Sequence, residues 1–213
     1  MTRLRVFIDG DHSGHENMAI DEALLEGDEH CVLRLYGWEP AALSLGHFQV
    51  EDETELQPFR DAGIDVVRRI TGGGAILHAH ELTYSLCGNV GEGPFAGGVE
   101  DSYTLVHEAW IQTLSTFGVA AQHANSAPRS LRHVEQPFLC FSRSTKWDVI
   151  ADGAKLIGSA KRERRGRALQ HGSIVLRRHA LGGPTAALDA LAPAPIARTD
   201  LASAFARELA AIL

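Results

Sequence analysis

Residues 68–78 have the sequence RRITGGGAILH, in which an apolar run ends with two arginines and continues as three consecutive glycines. Because glycine has no side chain, a ligand can approach the backbone closely there, and the glycine N–H groups can point at a carboxylate or phosphate oxygen. Arg68 and Arg69 favour this anion-binding interpretation. The alternative is a flexible hairpin turn, since glycine runs are common in turns.

Short apolar segments on both sides of this stretch predict strands. Alternation over residues 31–37 indicates one strand, and the run IDVVRRI before the glycines indicates another. Asp152-Gly153 lies between two apolar runs, which is a strong short-range signal for a hairpin. Further strands are expected at 42–45, in AILH and ELTYSLC after the glycines, and in RALQHGSIVLR at 167–177.

Helical patterns occupy several of the remaining segments. Ser13 with Glu16 three residues later has the form of a capping box, which predicts a helix over 14–26. Because the strands occur in clusters, with helices at the edges rather than in regular alternation, the sequence predicts an α+β fold. The other predicted helices cover 52–62, ending at Gly63, and 101–117, ending at Gly118, and a last one is capped at Thr199.

Composition favours one globular domain over residues 1–213. The chain is 45% hydrophobic and 22% charged, which suits a substantial core. Its first residues lack the apolar region of a secretory signal, and no apolar run approaches the ~18 residues of a membrane span, so a cytoplasmic protein without membrane association is expected. The net charge of -7 argues against nucleic-acid binding. Residues 161–167, with five basic side chains against one acidic, are either a solvated loop or a surface for an acidic partner.

Cys140 is the most plausible nucleophile. It lies between aromatic residues at the end of an irregular stretch, 123–139, for which a long loop is expected. Cys31 and Cys87 fall in strand-like runs and are expected to be buried and inert. An ordinary core cysteine is the alternative for Cys140. The odd cysteine count gives no reason to expect a disulfide framework, and without CxxC or HxxxH spacing no metal site is expected. Three histidines are candidates to activate the Cys140 thiol: His78, His80 and His171.

Lys155 is the second candidate for chemistry. It follows the Asp152-Gly153 turn in an otherwise apolar strand. A lysine there needs either solvent or an anionic partner, and a ligand carboxylate or a developing oxyanion would serve. The alternative is a surface lysine on an edge strand.

Five motifs, in order along most of the chain, resemble those of the lipoate-protein ligase and octanoyltransferase catalytic domain, which is related to biotin ligases. The motifs are NMAIDEALL (17–25), YGWEP with LSLG (36–46), RRITGGGAILH followed by ELTYS, DGAKLIGSA (152–160) and LQHGS (169–173). The resemblance implies mixed, largely antiparallel sheets and makes Lys155 the essential lysine. The motifs supply the expected substrate-binding residues: Arg69, Gly72, Gly73, Gly74, His78, Gly158, Ser159, Ala160, His171 and Gly172.

Members of this family divide by mechanism. ATP-dependent ligases make an acyl-adenylate, whereas transferases take the acyl group from a carrier thioester through a cysteine. Cys140-Phe141, followed by Ser144, resembles the Cys-Phe segment of the cysteine-dependent octanoyltransferases, and Lys146-Trp147-Asp148 stands where ligases tend to show Asn-Asp. The resemblance therefore implies a protein N-octanoyltransferase in which Cys140 forms an acyl-enzyme and Lys155 stabilises the carbonyl oxygen, with neither ATP nor another cofactor.

The resemblance also implies the partners. An acyl-carrier protein would donate an octanoyl or lipoyl group, and a lipoyl-carrier domain, such as the glycine cleavage H protein or an E2 subunit, would accept it. Two alternatives remain: an ATP-dependent lipoate- or biotin-protein ligase, and a non-catalytic acyl-carrier-binding subunit. The chain departs from the family pattern at Ala79, in place of an aspartate, and at Lys161, in place of a glutamine.

Overall fold

The computed structural model describes residues 3–124, 138–142 and 145–213. Most of the stretch for which a long loop was expected, and Ser144, lie outside the described residues. Among the residues that are described, the strands are β1 Arg5–His12, β2 Cys31–Trp38, β3 Ala42–Leu45, β4 Asp65–Arg68, β5 Ile76–His78, β6 Glu81–Asn89, β7 Gln122–His123, β8 Val149–Ala151, β9 Ala154–Arg164 and β10 Arg167–Val175.

In the described residues, the strands form two sheets, and five α-helices pack with them. The larger sheet has the order β1-β2-β6-β10-β9-β8-β7 and is antiparallel except for the pair β1 and β2, and the smaller sheet has the order β4-β3-β5. The predicted α+β class with largely antiparallel sheets is confirmed. No helix in the described part of the chain is long and apolar enough to cross a membrane. The helices are α1 Gly14–Glu26, α2 Glu53–Asp61, α3 Val99–Thr116, α4 Leu188–Leu191 and α5 Arg198–Ile212.

Local signals account for the best-predicted elements. Ser13 and Glu16 form the expected capping box at the start of α1. The turn between β8 and β9 has positive φ at both Asp152 (47°) and Gly153 (74°), as a type I′ hairpin requires. Gly118, with φ of 74°, follows the end of α3. These features depend on residues close in sequence, and each is confirmed.

Two of the differences from prediction have a clear physical cause. β1 was not predicted; it is an edge strand paired only with the distant β2, and its side chains are largely exposed, so no buried alternation marks it. The last helix begins at Arg198 after an Ala197 cap that makes no side-chain hydrogen bond, so the cap predicted at Thr199 is wrong by two residues. Burial of the apolar face of α5 fixes its position instead of a polar cap.

The larger sheet is covered on both faces. On one face, α3 and α5 pack on the strands through Trp110 and Phe205, whose rings stack at 3.7 Å, with Tyr84 of β6 beside them. On the other face, α1 lies against β2, β6 and β10 and also contacts β3 and β4. Helix α1 therefore joins the two sheets, and β2 is buried along its whole length rather than on one side.

Candidate functional site

The segment that carries Cys140 is held against the glycine run by the main chain. Ala75 N donates to Phe138 O and Cys140 N donates to Ala75 O, both at 2.8 Å. A Cβ at Gly74 would lie 2.9 Å from Phe138 O and 3.2 Å from Cys140 N, so only glycine permits this approach. The glycine run is therefore the support on which the thiol-bearing segment lies.

The Lys155 amine lies beside this thiol. Its Nζ is 3.8 Å from Cys140 Sγ and 2.9 Å from Asp148 Oδ2. The Lys155 and Asp148 side chains are only 3% and 5% exposed, so the alternative of a surface lysine on an edge strand is excluded. Asp148 Oδ2 also accepts a hydrogen bond from Thr145 N at 2.6 Å, which fixes the carboxylate. The thiol, amine and carboxylate thus form a row, the candidate catalytic row, in which the amine and carboxylate are buried and the thiol is half-buried.

Gly158 makes room for the Lys155 amine. A Cβ at Gly158 would lie 2.7 Å from Lys155 Nζ, closer than real Cβ contacts allow. Gly172, its neighbour on β10, is crowded in a similar way by the main-chain oxygen of Gly158, at 2.6 Å from its hypothetical Cβ. Gly158 is therefore required by close packing around the amine, and Gly172 by close packing against the adjacent strand β9.

Of the two arginines that were expected to bind an anion, Arg69 holds the glycine run in place. Arg69 is buried and donates to the carbonyl oxygens of Ser44, Gly72 and Gly74 at 2.7–2.8 Å. Burial lowers the pKa of Arg69 to about 10, while the nearby Cys140 sulfur, when ionised, favours the charged guanidinium. Arg69 thus has a structural role, because carbonyl groups in an irregular glycine segment need donors, and since it also lines the cavity its role in binding an anion stays a prediction.

Arg68 has a similar structural role. Its Nη1 donates to Gly46 O at 2.9 Å and to Gln49 O at 2.8 Å, and its Nη2 pairs with Glu51 at 2.7 Å. These contacts tie the loop after β3 to the strand that leads into the glycine run.

Two of the three candidate histidines line the cavity but hydrogen-bond to groups other than the thiol. His78 contacts Glu81 through Nδ1 and Ser44 Oγ through Nε2 at 2.7 Å. His171 places Nδ1 2.8 Å from Asp21 Oδ2 and Nε2 2.6 Å from Thr71 Oγ1.

His80 lies apart from them, with its Nε2 2.9 Å from Arg177 Nη2. In the part of the chain that is described, the basic side chain that contacts the Cys140 sulfur is Lys155 rather than one of the three histidines.

A cavity of about 260 Å³ opens beside the row of Cys140, Lys155 and Asp148. Its volume is close to the lower end of small-molecule pockets, which span about 300–1,000 Å³. All predicted site residues except Gly74 line it: Arg69, Gly72, Gly73, His78, Cys140, Lys155, Gly158, Ser159, Ala160, His171 and Gly172. Gly74 lies just outside, under the Cys140 segment.

Ser159, which was expected to bind substrate, lines the cavity with its hydroxyl held by other protein groups. Its hydroxyl lies 2.6 Å from His107 Nε2 and 2.6 Å from Tyr84 OH, so the side chain is bound by neighbouring protein groups. Burial lowers the pKa of His107 to about 4, which keeps this imidazole neutral.

Sequence reasoning gave no role to several residues of the cavity. Asp148 could have been found by counting back from the Asp152-Gly153 turn, since Val149 pairs with Ile157 and the preceding residue then lies near Gly158. Most of the others lie in the quoted motifs or beside them, but nothing in the sequence shows which side chains face a common cavity: Met18, Tyr36, Trp38, Ser44, Ile76, Thr83, Tyr103, Thr145, Lys161 and Ser173.

The other two cysteines are more deeply buried than Cys140. Cys31 and Cys87 are buried, and burial raises the pKa of each thiol to about 11, as expected for inert side chains. Cys140 is half-buried. No group of three or more histidine, cysteine, aspartate or glutamate side chains within the described ranges is arranged to hold a metal ion.

Curated proteins with sequences similar to this chain are named octanoyltransferases. The octanoyltransferase LipM of Clostridioides difficile (strain 630) is 38% identical over 181 residues, which cover 83% of this chain and 66% of that protein. The LipM of Moorella thermoacetica is 38% identical over 167 residues, which cover 76% of this chain and 61% of that protein. The chain thus spans a little less than two thirds of the length of these curated relatives.

Solved structures share the fold. A putative lipoate protein ligase from Thermoplasma acidophilum with bound lipoic acid superposes with a TM-score of 0.77 at 22% identity, over 98% of this chain and 84% of that one. A lipoate-protein ligase A bound with ATP has a TM-score of 0.74 at 21% identity, over 98% and 84%. The family described as the lipoyl protein ligase A/B catalytic domain matches residues 13–192. The chain belongs to the lipoyl protein ligase A/B catalytic domain family.

Proposed function

We propose that this chain is a protein N-octanoyltransferase that moves an octanoyl or lipoyl group from a carrier thioester, through a Cys140 acyl-enzyme, to a lysine of a lipoyl-carrier domain. The observation that carries the proposal is the 3.8 Å separation of Cys140 Sγ and Lys155 Nζ beside a cavity that both residues line. A ligase that works through an adenylate has no need of a thiol at this position. The octanoyltransferase names of the curated relatives support the same activity.

Residues 1–213 act as one catalytic domain in this proposal. The cavity takes its walls from segments that are far apart in the chain, between Met18 and Ser173. Helix α1 packs against both sheets, and the thiol segment lies on the glycine run between them. These contacts make it improbable that the site survives division of the chain.

The first half-reaction transfers the acyl group to the enzyme. The Cys140 sulfur attacks the carbonyl carbon of the donor thioester, and the bond to the carrier sulfur breaks, so that the carrier leaves as a thiolate and takes up the proton that Cys140 lost. The Lys155 ammonium donates a hydrogen bond to the carbonyl oxygen as negative charge develops there. Asp148 holds that ammonium in place at 2.9 Å.

The second half-reaction forms an amide. The neutral ε-amine of the acceptor lysine attacks the Cys140 thioester, the carbon–sulfur bond breaks, and the proton lost by the amine neutralises the released thiolate. Thioester exchange is nearly balanced in free energy, whereas amide formation from a thioester runs downhill. The sequence of steps therefore needs no ATP.

The acyl tail lies in the cavity in this proposal. Met18, Trp38 and Ile76 supply apolar surface there, and each methylene removed from water contributes ~0.8 kcal/mol. A chain of several carbons would therefore bind more tightly than a short one. The small volume of about 260 Å³ limits the length that fits.

The proposed partners are an acyl-carrier protein as donor and a lipoyl-carrier domain, such as the glycine cleavage H protein or an E2 subunit, as acceptor. A solved structure of similar fold, with a TM-score of 0.74 at 20% identity, describes a bipartite lipoate protein ligase and its E2 lipoyl domain from Thermoplasma acidophilum. That pairing supports a lipoyl domain as the acceptor class here.

The test is to mix the protein with octanoylated acyl-carrier protein, without ATP, and to search by mass spectrometry for a hydroxylamine-labile octanoyl adduct. We expect the adduct in the unchanged protein and in Cys31→Ala, but not in Cys140→Ala. An adduct that persists in Cys140→Ala would place the chemistry on another residue. Release of pyrophosphate from ATP and free octanoate, with indifference to Cys140→Ser, would identify a ligase instead.

A further inference from the structure

Two large apolar side chains are presented to solvent next to the candidate site. Phe48 is 77% exposed and Val50 is 84% exposed, more than any other large apolar residue in the described ranges. Both lie on the loop that follows β3. A phenyl ring this exposed leaves most of its apolar area in contact with water in the isolated protein, which points to a surface that a partner covers.

Two hydrogen bonds hold this loop against the start of the glycine run and against the segment that carries Cys140. His47 N donates to Thr71 O at 2.8 Å, and Gln49 Nε2 donates to Phe138 O at 3.2 Å. Phe48 lies between these two anchors, one of which precedes the glycine run while the other lies two residues before Cys140. Its position next to the thiol segment is therefore fixed by hydrogen bonds on both sides.

A basic side chain of the larger sheet lies over the exposed Phe48 ring. The Arg162 guanidinium carbon lies 5.9 Å from the centre of the Phe48 ring. Arg162 follows Lys161, which lines the cavity, and belongs to β9 of the larger sheet, whereas Phe48 follows β3 of the smaller sheet. The two residues thus come together from the two sheets at the edge of the site, and with Val50 they form what we call the Phe48 rim.

Two other basic residues of the 161–167 stretch have acidic partners within the chain. Lys161 pairs with Glu163 at 3.0 Å, and Arg164 lies 3.1 Å from Glu26 of α1. These pairs reduce the local excess of positive charge that the sequence suggested. The positive charge that borders the exposed ring is that of Arg162.

The reacting group of the donor and that of the acceptor are carried on arms of different length, and this difference decides which partner contacts the Phe48 rim. An acyl group on a carrier protein is delivered by a long flexible arm, so the donor's surface can stay at a distance from Cys140. A lysine side chain extends only about 6 Å from its Cα, given carbon–carbon bonds of about 1.5 Å. The acceptor domain must therefore touch the protein around the thioester, where the Phe48 rim lies.

We propose that the Phe48 rim is the docking surface for the acceptor domain, which meets it with an apolar residue against Phe48 and Val50 and a carboxylate against Arg162. This inference rests on the proposed transferase function. It assigns the rim to the second half-reaction and leaves the first half-reaction independent of it. Apolar contact supplies affinity, and the charge pair orients the acceptor lysine toward the cavity.

The test separates the two half-reactions. The protein is first acylated with octanoylated acyl-carrier protein, and the acyl-enzyme is then mixed with unacylated glycine cleavage H protein or, separately, with hydroxylamine, a small nucleophile that needs no docking. The variants are Phe48→Ala and Arg162→Glu. The matched control is Phe7→Ala, since Arg5 lies 4.7 Å over the Phe7 ring in a similar exposed pair on the distant edge strand β1.

We expect both rim variants to raise the KM for the H protein roughly tenfold or more, the loss typical of one interface anchor. Acyl-enzyme formation, cleavage by hydroxylamine and the melting temperature should stay at the level of Phe7→Ala. An unchanged KM for the H protein, or acylation that slows in parallel, would overturn the inference. If even the unchanged protein forms no acyl-enzyme, the proposed function fails, a result that is distinct from failure of the rim.

Discussion

Acidification should destabilise the fold through His107, a residue behind the catalytic row. The ring is fully buried on α3, with Nδ1 in contact with Trp147 O and Nε2 2.6 Å from Ser159 Oγ. The carbonyl can only accept a hydrogen bond, so Nδ1 carries the proton and Nε2 accepts from the serine hydroxyl. Burial, the main cause, lowers the pKa of His107 from about 6.5 to about 4.

The sign of the effect follows from proton uptake. Between the two pKa values, the unfolded chain binds a proton at this position and the folded chain does not, so stability is full above about pH 6.5 and is lost as the pH falls toward 4. A pKa shift of this size lowers the free energy of unfolding by about 2 kcal/mol at pH 5 and by about 3 kcal/mol below pH 4.

Urea unfolding of the unchanged protein and of His107→Gln, each at pH 7.5 and pH 5, measures this loss. Glutamine offers Ser159 a neutral acceptor but takes up no proton, so other titrating groups contribute equally to both proteins. We expect the free energy of unfolding to fall by about 2 kcal/mol more in the unchanged protein than in the variant. Parallel losses in the two proteins would refute the assignment of a neutral buried His107.

Three further predictions concern the catalytic row itself. Gly158→Ala should displace the Lys155 amine, because the added Cβ would lie 2.7 Å from Nζ. We expect acyl-enzyme formation to slow at least tenfold in stopped-flow assays, and an unchanged rate would contradict the packing argument. Lys155→Ala leaves the Asp148 carboxylate buried without its ion pair and should cost about 3–5 kcal/mol in urea unfolding, with part of the loss recovered in Lys155→Ala/Asp148→Asn. Arg69→Met removes donors from three carbonyl groups and should lower the melting temperature by several degrees at least; an unchanged value would show that the glycine run holds its shape unaided.

The sequence predicted those parts of the fold that depend on neighbouring residues. The Ser13–Glu16 box and the Asp152-Gly153 hairpin are local patterns whose geometry is set within a few residues, and both were found as expected. The motifs also placed Cys140 and Lys155 in one site. What joins them in space is a set of main-chain contacts between segments about 65 residues apart, such as Ala75 with Cys140, and no spacing in the sequence encodes these.

Side-chain roles were harder to predict than positions. Arg69 carries a charge that suggested an anion, yet its Nη1 and Nη2 groups donate to carbonyl groups that become visible only when the glycine run is folded. Arg34, in a strand expected to alternate, is buried because Asp9 and Asn17, from β1 and α1, bind its guanidinium. Each role depends on partners supplied by distant segments, so residue type alone could not assign it.

The two main-chain bonds between Ala75 and the Cys140 segment have a consequence for protein engineering. Since amide and carbonyl groups are common to nearly all residues, exchanging side chains along this segment leaves the anchorage of the sulfur intact. Adding or deleting one residue is different, because it moves the chain by about 3.3 Å, nearly the whole distance of 3.8 Å between sulfur and amine. Libraries that vary residue identity at the positions around Cys140, with Cys140 itself kept, should retain activity far more often than libraries that vary loop length.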